Sequence, residues 1–305
     1  MSLFDGIIGH EAQVEYLSHV FDQGTLAHAY LFSGPSHLGK RTMARRLLGT
    51  FPSYVTLVRP IDEKTGVQKS TIPVESIRDL RSQLSLTTFD GGKKAVLIED
   101  ADTMTSAAQN ALLKTLEEPR GDTVVILLAT HASQLLETIH SRCVGLAFTP
   151  VAREVLHQAL KKHTTPEHAL TLSGYAGGRP GLAIRFLENE YRRTYEEDRS
   201  EAQTFLTATL PQRLKAIEAL VKEKDPDVLH RRLQSWEEVL HDCLLLSTNN
   251  APFARMNKGL DSWVPGKPPA YWVGALSALT LAKTSLSKNI NANLALEQFA
   301  LHIDV

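Results

Sequence analysis

Five short apolar runs punctuate the first half of the chain, at 30–33, 54–58, 95–98, 124–129 and 144–148. Each is too short for a helix and reads as a buried strand. Between them, 10–22, 40–50, 73–86 and 104–118 carry apolar residues at helical spacing. Strands alternating with helices imply a parallel sheet covered on both faces. Within 106–118, Ala108, Ala111, Leu112 and Leu116 share one helical face, Ser106 and Gln109 have capping-box spacing, and Pro119 ends the pattern.

Past Pro150 the pattern changes. Helical stripes replace strands: Val155, Leu156, Ala159 and Leu160, then Trp236, Val239, Leu240, Cys243 and Leu244. Gly177-Gly178-Arg179-Pro180-Gly181 breaks the chain between two helices. The charged run 191–200 reads as a solvated helix face or a linker. The predicted class is α/β followed by all-α. An α/β domain spans 1–150, a small helical domain 151–190 and a larger helical domain 191–305.

Composition narrows the function classes. The 305 residues are 43% hydrophobic and 22% charged, with a formal net charge of -1, so no global basic excess marks a nucleic-acid binder. Lys93, Lys94, Arg78 and Arg81 read as solvated faces rather than DNA contacts. Two cysteines, Cys143 and Cys243, suggest neither a disulfide framework nor a zinc module. A reducing cytoplasmic setting is the default, with no signal peptide and no apolar run of membrane-spanning length.

The first strand leads into Gly34-Pro35-Ser36-His37-Leu38-Gly39-Lys40 and then a helix. This is the G-x-x-x-x-G-K phosphate loop. Its glycines let backbone N–H groups turn toward phosphate, the helix N-terminus adds a positive dipole end, and Lys40 reaches the outer phosphates. The closing Ser or Thr, whose hydroxyl helps hold Mg²⁺, is replaced by Arg41. Thr42 follows one residue late, turned about 100° round the helix. Gly34, Gly39, Lys40 and Thr42 are the nucleotide-binding candidates, and no residue is assigned to a metal. The third strand ends in Glu99-Asp100, the reverse of the Asp-then-Glu order that holds metal and orients water in hydrolysing relatives of this architecture. Thr130, at the tip of the fourth strand, is placed to sense phosphate.

The segments 7–17 (IIGHEAQVEYL), 28–40 (HAYLFSGPSHLGK), 108–119 (AQNALLKTLEEP), 138–143 (TIHSRC) and 289–301 (NINANLALEQFAL) together resemble bacterial DNA polymerase III clamp-loader subunits of the AAA+ superfamily, over nearly the whole chain. The resemblance implies an AAA+ P-loop domain, a helical lid and a C-terminal collar. It also implies that Arg142, in Ser-Arg-Cys, is an arginine finger acting in trans on the ATP of a neighbouring subunit. Without the family, Arg142 reads as an arginine paired with a nearby acid. Three features favour the delta-prime type over the ATP-hydrolysing gamma/tau motor type: Arg41, the inverted Glu99-Asp100, and Gly181 where motor subunits carry a nucleotide-sensing arginine. No cysteine lies in 41–94, so the family's four-cysteine zinc module is absent. The implied partners are motor subunits and a delta subunit in a pentamer, and through it a sliding clamp and primer–template DNA, with no membrane. No cofactor is required. ATP or ADP, if held, is not hydrolysed. The apolar stripe from Trp236 to Leu244, with Leu276, Leu279 and Leu286, supplies either collar contacts or internal packing.

Overall fold

The computed structural model describes residues 3–62, 68–85, 94–118, 123–223, 225–248, 266–287 and 290–303. Lys93 and Pro119 lie outside these residues. The chain order is α1 (Glu11–Asp22), β1 (Ala29–Ser33), α2 (Lys40–Leu48), β2 (Ser53–Leu57), α3 (Val74–Ser85), β3 (Lys94–Ile98), α4 (Ser106–Glu117), β4 (Thr123–Ala129), α5 (Glu137–His140) and β5 (Val144–Ala147). From there the described elements are helical: α6 (Arg153–Leu160), α7 (Pro166–Tyr175), α8 (Pro180–Arg185), α9 (Asn189–Thr207), α10 (Leu210–Glu223), α11 (Pro226–Ser247), α12 (Pro269–Ser287) and α13 (Ala292–His302).

The strands form one parallel sheet in the order β2-β3-β4-β1-β5. Its two faces follow from the two-residue period of a strand. Along β4, Val125, Leu127 and Ala129 join a core with Leu31, Val96, Ile98, Ile77 of α3 and Leu112 of α4. The intervening Val124, Ile126 and Leu128 join another with Tyr30, Phe32, Leu97, Leu17 of α1 and Met43 of α2. All seven β4 residues are buried, as expected of a parallel strand covered on both sides.

The capping box expected at Ser106 and Gln109 does not form. Thr105 is the N-cap, and its side chain accepts from the Ala108 amide. Gln109 turns inward instead. Its amide nitrogen donates to the carbonyls of Met104 and Gln134, both at 3.2 Å, and its oxygen accepts the Leu136 amide at 2.8 Å. A buried glutamine satisfied three ways ties α4 to the loop after β4, which outweighs one exposed cap.

The chain divides into two compact units. The first is Met1–Ala159 with Gly178–Leu182, and the second is Leu160–Gly177 with Ala183–Val305. In the second, Phe205 stacks on Trp236 at 4.0 Å and Trp236 on Phe299 at 5.6 Å, in a core that also holds the fully buried Trp272. Trp236, Val239, Leu240, Cys243 and Leu279 are buried in this core, with Leu244, Leu276 and Leu286 packed against it. The stripe is internal packing. The charged run 191–200 lies on α9 and is solvated on one side only. Tyr195 packs on Tyr175 and Phe186, while Arg199 turns inward to pair with the buried Asp242.

Candidate phosphate-loop site

The C-terminal ends of β1, β3 and β4 lie side by side in the sheet, and the loops leaving them define a cavity of about 370 Å³. Such an edge is where open parallel sheets bind ligands. Lys40, Arg41, Thr42, Glu99, Asp100, Thr130 and Gly181 line it.

The loop after β1 is fixed by close approaches. Gly34 has φ 133°, and a Cβ there would collide with the Phe148 carbonyl oxygen. The Gly34 amide donates to Ala129 at 3.1 Å, and Phe148 donates to Ser33 at 2.7 Å. Only glycine fits between these strands. Gly39, at φ 92°, is the N-cap of α2. Lys40 opens the helix with its side chain folded back. Its Nζ donates to the carbonyls of Gly34 and, at 2.7 Å, Pro35. Burial pushes the Lys40 amine down to about 8, against the opposing pull of Asp102 and Asp100.

Arg41 faces the tip of β3, where it pairs with Glu99. Arg45, one helical turn on, reaches the other oxygen of Glu99 at 3.3 Å. The Glu99 side chain is only 5% exposed, whereas Arg41 and Arg45 are 57% and 52% exposed. Asp100 adopts a left-handed conformation at φ 51° and is bonded to Arg59 Nε at 3.1 Å. Thr42 is exposed at the cavity rim, and Thr130 is half-buried.

Three participants escape a reading by motif. Asp102 is 9% exposed, and its Oδ2 accepts the backbone amides of Thr130 at 3.2 Å and His131 at 2.8 Å. It therefore sets the tip of β4 against that of β3. Arg45 could have been found, because it lies four residues after Arg41 and so on the same helical face. Arg59 follows β2, and nothing in its local sequence points to Asp100.

Arg142 is not in this cavity. It follows the single turn of α5, and its side chain is 34% exposed. Its Nη1 donates to the Thr138 carbonyl at 3.0 Å and Ser141 Oγ at 3.1 Å, while Nη2 pairs with Glu117 at 2.8 Å. Burial raises the neighbouring Cys143 thiol to about 11.

Gly181 is drawn onto the loop by its backbone. Its amide donates to the His37 carbonyl at 2.8 Å. A Cβ there would lie 2.9 Å from that oxygen and 3.3 Å from His37 Cα. The position is glycine because two backbones touch. Among the described residues, no group of three or more His, Cys, Asp or Glu is placed to hold a metal, and no helix is long and apolar enough to cross a membrane.

Residues 53–152 match the family model described as "DNA polymerase III, delta subunit". The chain is 38% identical over 189 residues to DNA polymerase III subunit delta' of Pseudomonas aeruginosa, covering 52% of this chain and 55% of that one. It is 29% identical over 194 residues to the Haemophilus influenzae subunit of the same name, covering 57% and 59%. The chain thus spans a little over half the length of these relatives. At 24% identity, replication factor C subunit 4 of Encephalitozoon cuniculi is covered over 90% of its length, with 94% of this chain. Among solved structures, a single-residue variant of Thermotoga maritima RuvB superposes with a TM-score of 0.52 at 14% identity over 99% of this chain and 89% of that one, a likeness of fold alone. Over a little more than half of its length, then, the chain is similar to DNA polymerase III delta-prime subunits, and its parallel sheet and phosphate loop agree with that likeness.

Proposed function

We propose that this chain is a delta-prime-type subunit of a clamp loader that does not hydrolyse nucleotide at its own site and lends Arg142 to the site of a neighbour. The observation that carries the first half is the state of the acids at the tip of β3. A magnesium ion needs oxygen ligands in near-octahedral array. Here Arg41 stands where the hydroxyl belongs, Arg41 and Arg45 share Glu99, and Arg59 holds Asp100. These residues do not fit the metal that supports hydrolysis, and no step of hydrolysis is assigned to them. The second half is supported by the position of Arg142, which lies outside the cavity, partly exposed and braced by Glu117 and the Thr138 carbonyl. A cation delivered to a neighbour's γ-phosphate stabilises charge that develops in the transition state.

In this reading residues 151–190 serve as a lid and 191–305 as a collar that joins motor and delta subunits in a pentamer. That assembly acts in the cytoplasm to place a sliding clamp on primer–template DNA, with no zinc and no required cofactor in this chain. The test is co-purification with candidate motor subunits, followed by ATPase assays of the isolated chain and of the assembly with primed DNA. The proposal expects no turnover by the chain alone and faster turnover when it joins the motors. DNA-stimulated turnover by the chain alone would establish the alternative, a gamma/tau-like motor or a related DNA-processing ATPase.

A further inference from the structure

We infer that the phosphate loop of this chain takes a polyphosphate without a divalent metal, the Arg41 guanidinium standing where the metal would. The inference rests on the reading of this pocket as one that does not hydrolyse, and it adds what the pocket binds.

The loop itself is built for phosphate. Gly34, His37 and Gly39 all have positive φ, and α2 starts at Lys40, so its first amides have no intrahelical partner. The cavity of about 370 Å³ lies directly over this helix start. What differs from a metal-using site is the balance of charge around it. Glu99 is one buried carboxylate with two guanidinium groups on it, Arg41 and Arg45. One cation neutralises it and the other is surplus. Asp100 is matched by Arg59, and Asp102 is committed to the amides of Thr130 and His131. Lys40 adds a further positive charge, resting on two backbone carbonyls. All three carboxylates already have partners, and the local excess is cationic before any metal arrives.

A magnesium ion would have to strip a guanidinium from Glu99 or Asp100 and then sit beside it. A phosphate chain has the opposite relation to the same groups. Arg41 is more than half exposed and can turn from Glu99 to a phosphate oxygen while Arg45 keeps Glu99 neutral. Its planar fork suits two oxygens at once. Lys40 can exchange the Gly34 and Pro35 carbonyls for the same phosphate group. The recognised unit is a diphosphate, borne by a nucleoside or inorganic.

The experiment is calorimetric titration of the full chain with ATP and, separately, with pyrophosphate, each in EDTA and in excess magnesium. Binding in EDTA at least as tight as in magnesium is the expected result. The ATP and pyrophosphate arms distinguish a nucleotide from the bare anion. The variant Arg41→Ser restores the hydroxyl and should weaken binding in EDTA by about 10-fold or more, the value of a lost charge-assisted contact. Arg41→Lys should fall between, and Lys40→Ala should abolish binding. Circular dichroism confirms folding of each, and Arg41, being exposed, carries little of the core. No binding of either probe, binding that requires magnesium, or Arg41→Ser binding like the parent in EDTA would each overturn the inference. None of these outcomes touches the absence of hydrolysis, which fails only if the isolated chain turns over ATP.

Discussion

The Gly181→Ala substitution probes the contact that holds the phosphate loop. The added methyl group meets the His37 carbonyl oxygen at 2.9 Å and its Cα at 3.3 Å. Carbon does not approach backbone oxygen that closely, so the two strands of chain must part. The cost has two components. The hydrogen bond from the Gly181 amide to His37, now 2.8 Å, is broken or bent. Its net value is about 0.5–1.5 kcal/mol. Overpacking against an unyielding neighbour adds about 1–3 kcal/mol. Together these correspond to roughly 10- to 2,000-fold faster local opening. Native-state hydrogen exchange is the assay, following the amides of Gly34 and of residue 181, bonded to the carbonyls of Ala129 and His37, with those of β4 as internal reference. Protection of these two amides unchanged within about twofold, with β4 also unchanged, would contradict the clash, because the predicted minimum is about tenfold. An arginine at position 181 carries the same Cβ, so restoring the motor-type residue should disturb the loop before it reaches any ligand.

Other expectations follow from the buried charges. Asp242→Ala removes the carboxylate bonded to the buried Arg199 inside the second unit and should cost about 3–5 kcal/mol in urea unfolding, followed by the fluorescence of Trp236 and Trp272 in the same unit. A loss below about 1 kcal/mol would contradict the pairing. Asp102→Ala should speed exchange of the Thr130 and His131 amides by about tenfold or more, with Asp102→Asn milder, and equal rates would remove its structural role. Lys40 has its amine lowered to about 8 in the folded protein, against 10.5 ordinarily. Between these values the unfolded chain holds more protons, so the ligand-free protein should gain stability as pH rises from about 8 toward 10.5. Polyphosphate affinity should fall as pH passes through about 8, with Asp100 and Asp102 the acids that oppose the loss of the proton. Chemical denaturation and calorimetry at stepped pH read both, and a flat profile would show that Lys40 does not titrate there.

The fold was legible because its signals are local and repeated. The apolar runs at 30–32, 95–98 and 124–129 are buried on both faces, so they stay apolar throughout, and the helices between them keep one face to the sheet. The glycines and lysine of the phosphate loop were legible because their spacing serves one geometry. Less visible were contacts between residues distant in sequence. Arg59 meets Asp100 only because β2 and β3 are neighbours in register. Asp102 reads as a turn-forming acid until the amides of residues 130 and 131 come down on it. The run 191–200 looked solvated because its composition is charged, yet Arg199 is buried, its charge met by Asp242 on a helix 43 positions away. Gly181 was identified by the arginine it lacks, and the structure supplies a reason for glycine itself. The capping box failed because Gln109 had better partners inside.

In the proposed role, the catalytic contribution of this chain is made at a neighbour's site. The decisive measurement is ATP turnover of the reconstituted, DNA-engaged assembly containing Arg142→Ala or Lys40→Ala in this chain. Arg142→Ala should slow hydrolysis at the site it serves by about 10³-fold or more, on the scale of known arginine fingers, while assembly is retained. Lys40→Ala should leave turnover unchanged. Turnover unaffected by Arg142→Ala but reduced by Lys40→Ala would contradict the account, placing the chemistry in this chain's own phosphate loop.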